Sequence, residues 1–249
     1  MVNPKNSTKT RKADQAPAMM EFRYIKDGYI TVTTAYGFDI DIPIKDLKKI
    51  SISHNNKKMG MIPSVSLPAI ITCNKNAPCA HPGSPCYAQG MEKNLLHNSI
   101  IKSYYKNLLL YQYDPDAYFL QIQSAAVTSA YFRYHVSGDI PCLDYLKRMV
   151  ATAEKIKNCK FLAFTKQYQI VNKFIADGGI VPDNLIIIFS SWYKWKCKNP
   201  YNNAVCEVVD NIEQVKSGYI CTGSCANCIL CGGGCFNAKH GDIINIKKH

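Results

Sequence analysis

Long apolar runs are missing from this chain. The longest, Leu185–Phe189, falls far short of the ~18 residues that a membrane-spanning helix needs. The opening residues, MVNPKNSTKTRKADQAPAMM, lack the apolar stretch of a secretory signal. The expectation is a cytoplasmic, reducing location with no membrane association. The signatures GxxxxGKS or GxxxxGKT, GxGxxG, GxSxG and HExxH are absent too, which leaves the common nucleotide-binding, hydrolase and zinc-protease classes without support. Neither an internal repeat nor a low-complexity tract is visible.

Acidic residues are scarce: 18 Asp+Glu stand against 30 Lys+Arg, a formal net charge of +12. Such an excess suits a nucleic-acid partner, because phosphate neutralisation uses Lys and Arg. It equally suits thiolate-bound metal clusters, whose negative charge offsets part of it. The lysines are scattered rather than gathered into one stripe.

Cysteine is what the chain has in plenty, 12 in 249 residues. In a reducing compartment, clustered cysteines point to metal ligation before disulfides. One knot reads Cys73-x5-Cys79-x6-Cys86; the other reads Cys221-x3-Cys225-x2-Cys228-x2-Cys231-GGG-Cys235. Three cysteines at two-residue gaps match the loop of an iron–sulfur cube. Zinc more often takes two separated pairs, and inert thiols are the remaining reading. A fourth ligand would come from Cys206, Cys221 or Cys235. The loop from Cys73 to Cys86 contains Pro78, Pro82, Gly83 and Pro85, so it wraps without forming a helix. Its three thiols would leave one iron of a cube open, and His81 is an alternative ligand. Cys142, Cys159 and Cys197 are isolated and read as buried structural cysteines.

Along the chain, residues 1–20 read as a disordered basic tail and 21–249 as one α/β domain. Apolar and polar residues alternate in Tyr29–Thr34 and Phe38–Ile44 around a Gly-containing turn, which predicts a β-hairpin, an N-terminal embellishment. Short apolar runs follow at 65–72, 131–136, 161–165 and 185–189. Helical patterns at 92–113, 115–130, 143–157 and 167–177 separate them. Four or five such βα units predict a parallel sheet, best accommodated as a partial, open βα barrel with a cysteine-rich C-terminal segment.

Ligand groups in such sheets gather at the C-terminal strand ends. Those ends read His135-Val-Ser137-Gly138-Asp139, Thr165-Lys166-Gln167 and Ser190-Ser191-Trp192. Ser137, Gly138, Asp139 and Lys166 are the candidate cofactor-binding residues. Asp139 is suited to an amine or ribose hydroxyls, or else to capping the helix after Pro141. Lys166 suits ligand contact or solvent, and His135 reads as a buried, satisfied histidine. Trp192, Tyr193 and Trp195, interleaved with Lys194 and Lys196, would stack on a base or pack in the core.

Ser66-Leu-Pro68 with Cys73, Cys79 and Cys86-Tyr87-Ala88, then Phe132–Asp139, then Cys225-x2-Cys228-x2-Cys231 with Lys248-His249, together resemble the bacteriophage gene-product-88-like family. The resemblance implies a phage-encoded protein of the host cytoplasm with an iron–sulfur-related role. It also implies Cys206 as fourth ligand to Cys225, Cys228 and Cys231, with Cys221 and Cys235 additional. A three-cysteine loop after the first strand of a βα array is more distantly similar to radical S-adenosylmethionine enzymes, although those space their ligands x3 and x2. That similarity implies a cube on Cys73, Cys79 and Cys86 binding S-adenosylmethionine, with Ser137-Gly138-Asp139 as the amine-binding turn. Three functions are carried forward. The first is radical-type redox chemistry at one or two 4Fe–4S clusters, or a larger shared one, with a small-molecule substrate. The second is a non-catalytic iron–sulfur carrier or electron-transfer module serving a host redox protein. The third is a basic, cluster-stabilised nucleic-acid binder.

Overall fold

The structure is a computed structural model that describes residues 22–25, 28–55, 57–81, 84, 86–191, 197–215, 217–232 and 234–247. The predicted hairpin forms as strands β2 (Tyr29–Thr33) and β3 (Asp39–Pro43), joined by β1 (Phe22–Ile25) into an antiparallel sheet ordered β1-β2-β3. Ile30 stands opposite Ile42 and Val32 opposite Ile40, so alternation puts four aliphatic side chains on one face. That face is buried in the main core, and the backbone N–H of Ala35 donates to the Tyr105 hydroxyl at 2.9 Å. The unit is therefore one wall of the domain and not the appendage the sequence suggested.

The second sheet contains β4 (Ile52–Ser53), β5 (Ser64–Val65), β6 (Tyr131–Tyr134), β7 (Lys160–Thr165), β8 (Leu185–Ser191), β9 (Val205–Val209), β10 (Tyr219–Ile220) and β11 (Ile243–Lys247). Their order is β4-β5-β6-β7-β8-β9-β11-β10. All neighbours are parallel except β4 and β5. From β5 to β9 each strand is added on the same side of the one before. Right-handed crossovers then carry the connecting helices to a single face.

Those helices are α1 (Tyr87–Glu92), α2 (Asn98–Tyr113), α3 (Pro115–Ala126), α4 (Leu143–Lys155) and α5 (Tyr168–Ala176), with α6 (Cys225–Leu230) in the cysteine-rich segment. Asp114 caps α3 by accepting from Ala117 N at 2.8 Å, and Pro115 fits its first turn. Tyr145, Leu146, Met149, Val150 and Ala153 give α4 one apolar face. Rings of Tyr111, Tyr118, Phe119 and Tyr145 meet edge-on or tilted, 4.8–6.2 Å apart. Each such pair adds about 0.5–1.5 kcal/mol beyond burial.

Strand β8 shows why its run is continuously apolar. Leu185, Ile187 and Phe189 face the helices, whereas Ile186 and Ile188 face the opposite layer with Met59, Ile62, Cys206, Phe236 and Ile244. Cys221, Cys225, Ile229 and Cys235 pack on this second layer. The C-terminal knot thus covers the sheet face that carries no crossover helix.

Two expected elements are shorter than predicted. The run 65–72 stays extended only at Ser64–Val65, because Pro68 offers no N–H to a ladder and Ile71 N bonds Ala69 O at 2.6 Å. The helix expected from residue 92 begins at Asn98, after a 3-10 turn at Leu95–His97. Residues 1–20 and the aromatic patch 192–196 lie outside the described residues.

Candidate functional site

The loop after β5 departs from the sheet under backbone constraint. Ile70 sits at φ 62° and, at the end of neighbouring β6, His135 sits at φ 55°. A left-handed β-branched residue is a steric outlier of the kind that clusters at functional sites. Gly138, at φ 81°, is required here: a Cβ would lie 2.6 Å from Leu67 O and 2.7 Å from Thr72 Oγ1.

This turn is sewn to the strand ends. Thr165 Oγ1 donates to Asp139 Oδ1 at 2.6 Å, Ile140 N donates to the same oxygen at 2.7 Å, and Lys166 N donates to Asp139 Oδ2 at 2.8 Å. Gln167 Nε2 reaches Thr72 O at 3.0 Å and Asn74 Nδ2 reaches Lys166 O at 2.9 Å. Cys73 is therefore held between two residues anchored on β7's exit. Lys166 Nζ donates to Ser190 Oγ at 2.9 Å, bringing the end of β8 into the set. The structure places Ser137, Gly138, Asp139 and Lys166 together at the exits of β6 and β7. Asp139 does not cap α4, whose cap position is Cys142; its oxygens accept from the chain itself. Burial pushes its carboxyl up to about 6 despite those bonds.

Cys73, Cys79 and Cys86 pack together against Ala77 and Ala80. The Cys79 thiol donates toward the Cys86 sulfur, which also receives the N–H groups of Ala88 and Gln89 at the start of α1. That bonding lowers Cys86 to about 6, while the hydrogen bond to Cys86 and burial push Cys79 well up. Burial raises Cys73 to about 12, with Asp139 adding to it. The Lys166 charge acts on all three thiols and on Cys206. His81 is exposed.

Residues the sequence reading passed over organise this loop. Gln89, buried, donates from Nε2 to Cys79 O at 2.5 Å, Ser84 Oγ at 3.0 Å and His81 O at 3.1 Å. Glu92 accepts from Ala69 N at 2.6 Å and Ser137 Oγ at 3.1 Å, and burial lifts its carboxyl to about 7. Both sit on α1 at positions three apart, a spacing whose only signal was a polar residue on a buried helix face.

In the second group Cys206 is buried on β9, Cys225 and Cys228 share one face of α6, and Cys231, at that helix's end, is exposed. Cys221 and Cys235 flank it. Cys142 and Cys159 are buried away from both groups, as expected, whereas Cys197 is only half-buried against the main core; Cys142 Sγ lies 3.2 Å from Tyr111 Oη.

Among the described residues, no three His, Cys, Asp or Glu side chains converge as a single bound ion requires. A cube places each thiolate on a different iron, a wider arrangement. In the first group the thiols have apolar walls, and the Cys86 sulfur faces the N–H groups of Ala88 and Gln89.

Fold and site define a singly wound parallel α/β protein with two cysteine groups served by one sheet. The chain belongs to the Gene product 88 family, a phage gene-product family whose model matches residues 44–226. No curated protein and no solved structure shows significant similarity to it. None of the described helices is long and apolar enough to cross a membrane.

Proposed function

We propose that this is an iron–sulfur redox protein whose primary cluster is held by Cys73, Cys79 and Cys86. The observation that carries the reading is the packing of these three thiols at the C-terminal ends of parallel strands, with Lys166 beside them. A cube bound there would supply one-electron chemistry, and three protein thiolates leave one iron for an outside ligand. This chain's own residues would do the rest. Gln89 and Ser84 hold the loop closed, Asp139 and Thr165 fix the turn that backs it, and Lys166 balances thiolate charge. An open βα barrel with S-adenosylmethionine as the outside ligand is the finer form of this reading, and the one-sided helices support it.

A second reading, an electron-transfer or cluster-carrying module, is favoured by the engagement of Asp139, whose oxygens already accept three hydrogen bonds from within the chain. Electron paramagnetic resonance of the anaerobically reduced protein tests both. A cluster signal that S-adenosylmethionine perturbs supports the enzyme, and an unperturbed signal supports the module. Absence of iron and sulfide after reconstitution sinks both.

A further inference from the structure

The three thiols of the first group are not equivalent. The Cys79 thiol donates to the Cys86 sulfur, whereas the Cys73 sulfur accepts from the backbone N–H of Ile70 and meets Cys86 only through charge. Cys73 is also tied to the sheet through both chain neighbours. Gln167 Nε2 donates to Thr72 O at 3.0 Å, and Asn74 Nδ2 donates to Lys166 O at 2.9 Å. Moving Cys73 toward the other two thiols would break those bonds to the exit of β7.

Cys79 and Cys86 are tied to each other instead. Ser84 bonds both of their backbones, its Oγ donating to Cys79 O at 2.8 Å and its carbonyl accepting from Cys86 N at 2.8 Å. Gln89 Nε2 donates to the same Cys79 O at 2.5 Å, and Cys86 O accepts from Gly90 N at 3.1 Å in the first turn of α1. Two sulfurs that share one hydrogen between backbones braced in this way reach the ~2.05 Å of a disulfide by side-chain rotation. Exposure divides their roles, since Cys86 is half-buried and Cys79 is buried. A small oxidant meets the Cys86 sulfur first, and Cys79 is the thiol behind it.

We propose that Cys79 and Cys86 are a redox pair that a hydroperoxide converts to a disulfide in the cluster-free chain, with Cys73 left as a thiol. The Cys86 sulfur attacks a peroxide oxygen, the O–O bond breaks, and the leaving oxygen takes the thiol proton as water, which leaves a sulfenic acid. The Cys79 sulfur then attacks that sulfur, the S–O bond breaks, and a second water leaves with the Cys79 proton. Two electrons pass from the two sulfurs to hydrogen peroxide, which ends as two waters. A dithiol reductant reverses the step by exchange. The consequence for iron rests on the reading of this loop as a cluster site: with two of its three ligands bonded to each other, the site takes no iron until it is reduced.

The test uses the full chain, stripped of metal by a chelator, treated with an equimolar amount of hydrogen peroxide and alkylated before digestion. Trypsin cuts after Lys75 and Lys93, so Cys79 and Cys86 share a peptide and Cys73 lies on another. The peptide from Asn76 to Lys93 should be about two daltons lighter than its dithiol form and take no alkyl group, while the Cys73 peptide is alkylated. In Cys79→Ser, dimedone should capture a sulfenic acid at Cys86. A link from Cys73 to either partner, or alkylation of both Cys79 and Cys86, overturns the pair. Reconstitution with ferrous iron and sulfide, without thiol reductant, then reads the consequence. The oxidised wild type should take up less iron than the reduced one, dithiothreitol should restore it, and Cys79→Ser/Cys86→Ser should show no such difference. A mapped disulfide with equal iron uptake in both redox states upholds the pair and removes the cluster reading of the loop.

Discussion

Thr165 donates its hydroxyl to Asp139 at 2.6 Å, and with the Lys166 N–H this bond ties the exit of β6 to the exit of β7 beside the first cysteine group. Asp139 also accepts from two backbone N–H groups. Asp139→Asn would set an amide N–H against one of those donors inside the core. A loss of about 2–4 kcal/mol is expected, against about 1 kcal/mol for Thr165→Val. Urea unfolding midpoints of the two variants check the ratio.

Burial holds His135 at about 3, with Arg133 adding to the depression, and its Nε2 lies 3.1 Å from Tyr145 Oη. The unfolded chain takes up this proton near pH 6.5, but the folded one does not until about 3. The stability this residue contributes is therefore full above pH 6.5 and falls as the pH drops toward 3. One pKa unit is 1.36 kcal/mol, so the span amounts to roughly 4–5 kcal/mol. Asp139 and Glu92, raised to about 6 and about 7, act in the opposite sense over the same range. The comparison must be between wild type and His135→Asn, which tolerates the left-handed backbone. The gap in unfolding free energy between them should shift in favour of the variant from pH 7.5 to pH 4.5.

Gly138→Ala is expected to destabilise by more than the ~1–2 kcal/mol of a left-handed alanine, because its Cβ would strike Leu67 O and Thr72 Oγ1. Since Thr72 precedes Cys73, the variant should also lose iron from the first group after reconstitution. Iron content measured alongside thermal unfolding separates that effect from simple instability.

Tyr105→Phe removes the hydroxyl that accepts from Ala35 N. A half-buried N–H left without a partner costs about 1–3 kcal/mol. Hydrogen exchange should show earlier opening of β2 and β3 than of β6 to β8, which would establish the N-terminal sheet as a packed wall that can be loosened on its own.

Cys142→Ala and Cys159→Ala should leave iron and sulfide content unchanged while lowering the thermal midpoint, since both side chains are buried away from the cysteine groups. Metal loss in either would redraw the ligand map.

Much of this was readable beforehand because periodicity and burial agree. The faces of α4 and α5 repeat every three to four residues, and β7 and β8 are apolar on both sides because both sides are covered. Strands β9 and β11 went unread: VCEVV and IINIK are short and mixed, and their burial comes from the folded cysteine-rich segment lying across them. At the first site the cysteines and the Asp139 turn were visible by residue type. Gln89 and Glu92 were not, because their bonds run to backbone atoms of a loop that no pattern foretells. At the second, the spacing of Cys225, Cys228 and Cys231 was visible, whereas the end of α6 at Cys231, which leaves that thiol exposed, was not.

Strand β11 lies between β9 and β10, although it comes last of the three along the chain. Until Ile243–Lys247 have left the ribosome, Tyr219–Ile220 have no partner and the segment from 210 to 242 is an unclosed loop. The two cysteine groups consequently mature at different moments of synthesis. The first can close once β8 and its helices have docked. The second waits for the final strand and then closes at once, so a nascent chain stalled short of β11 would offer its C-terminal thiols to the surrounding solution.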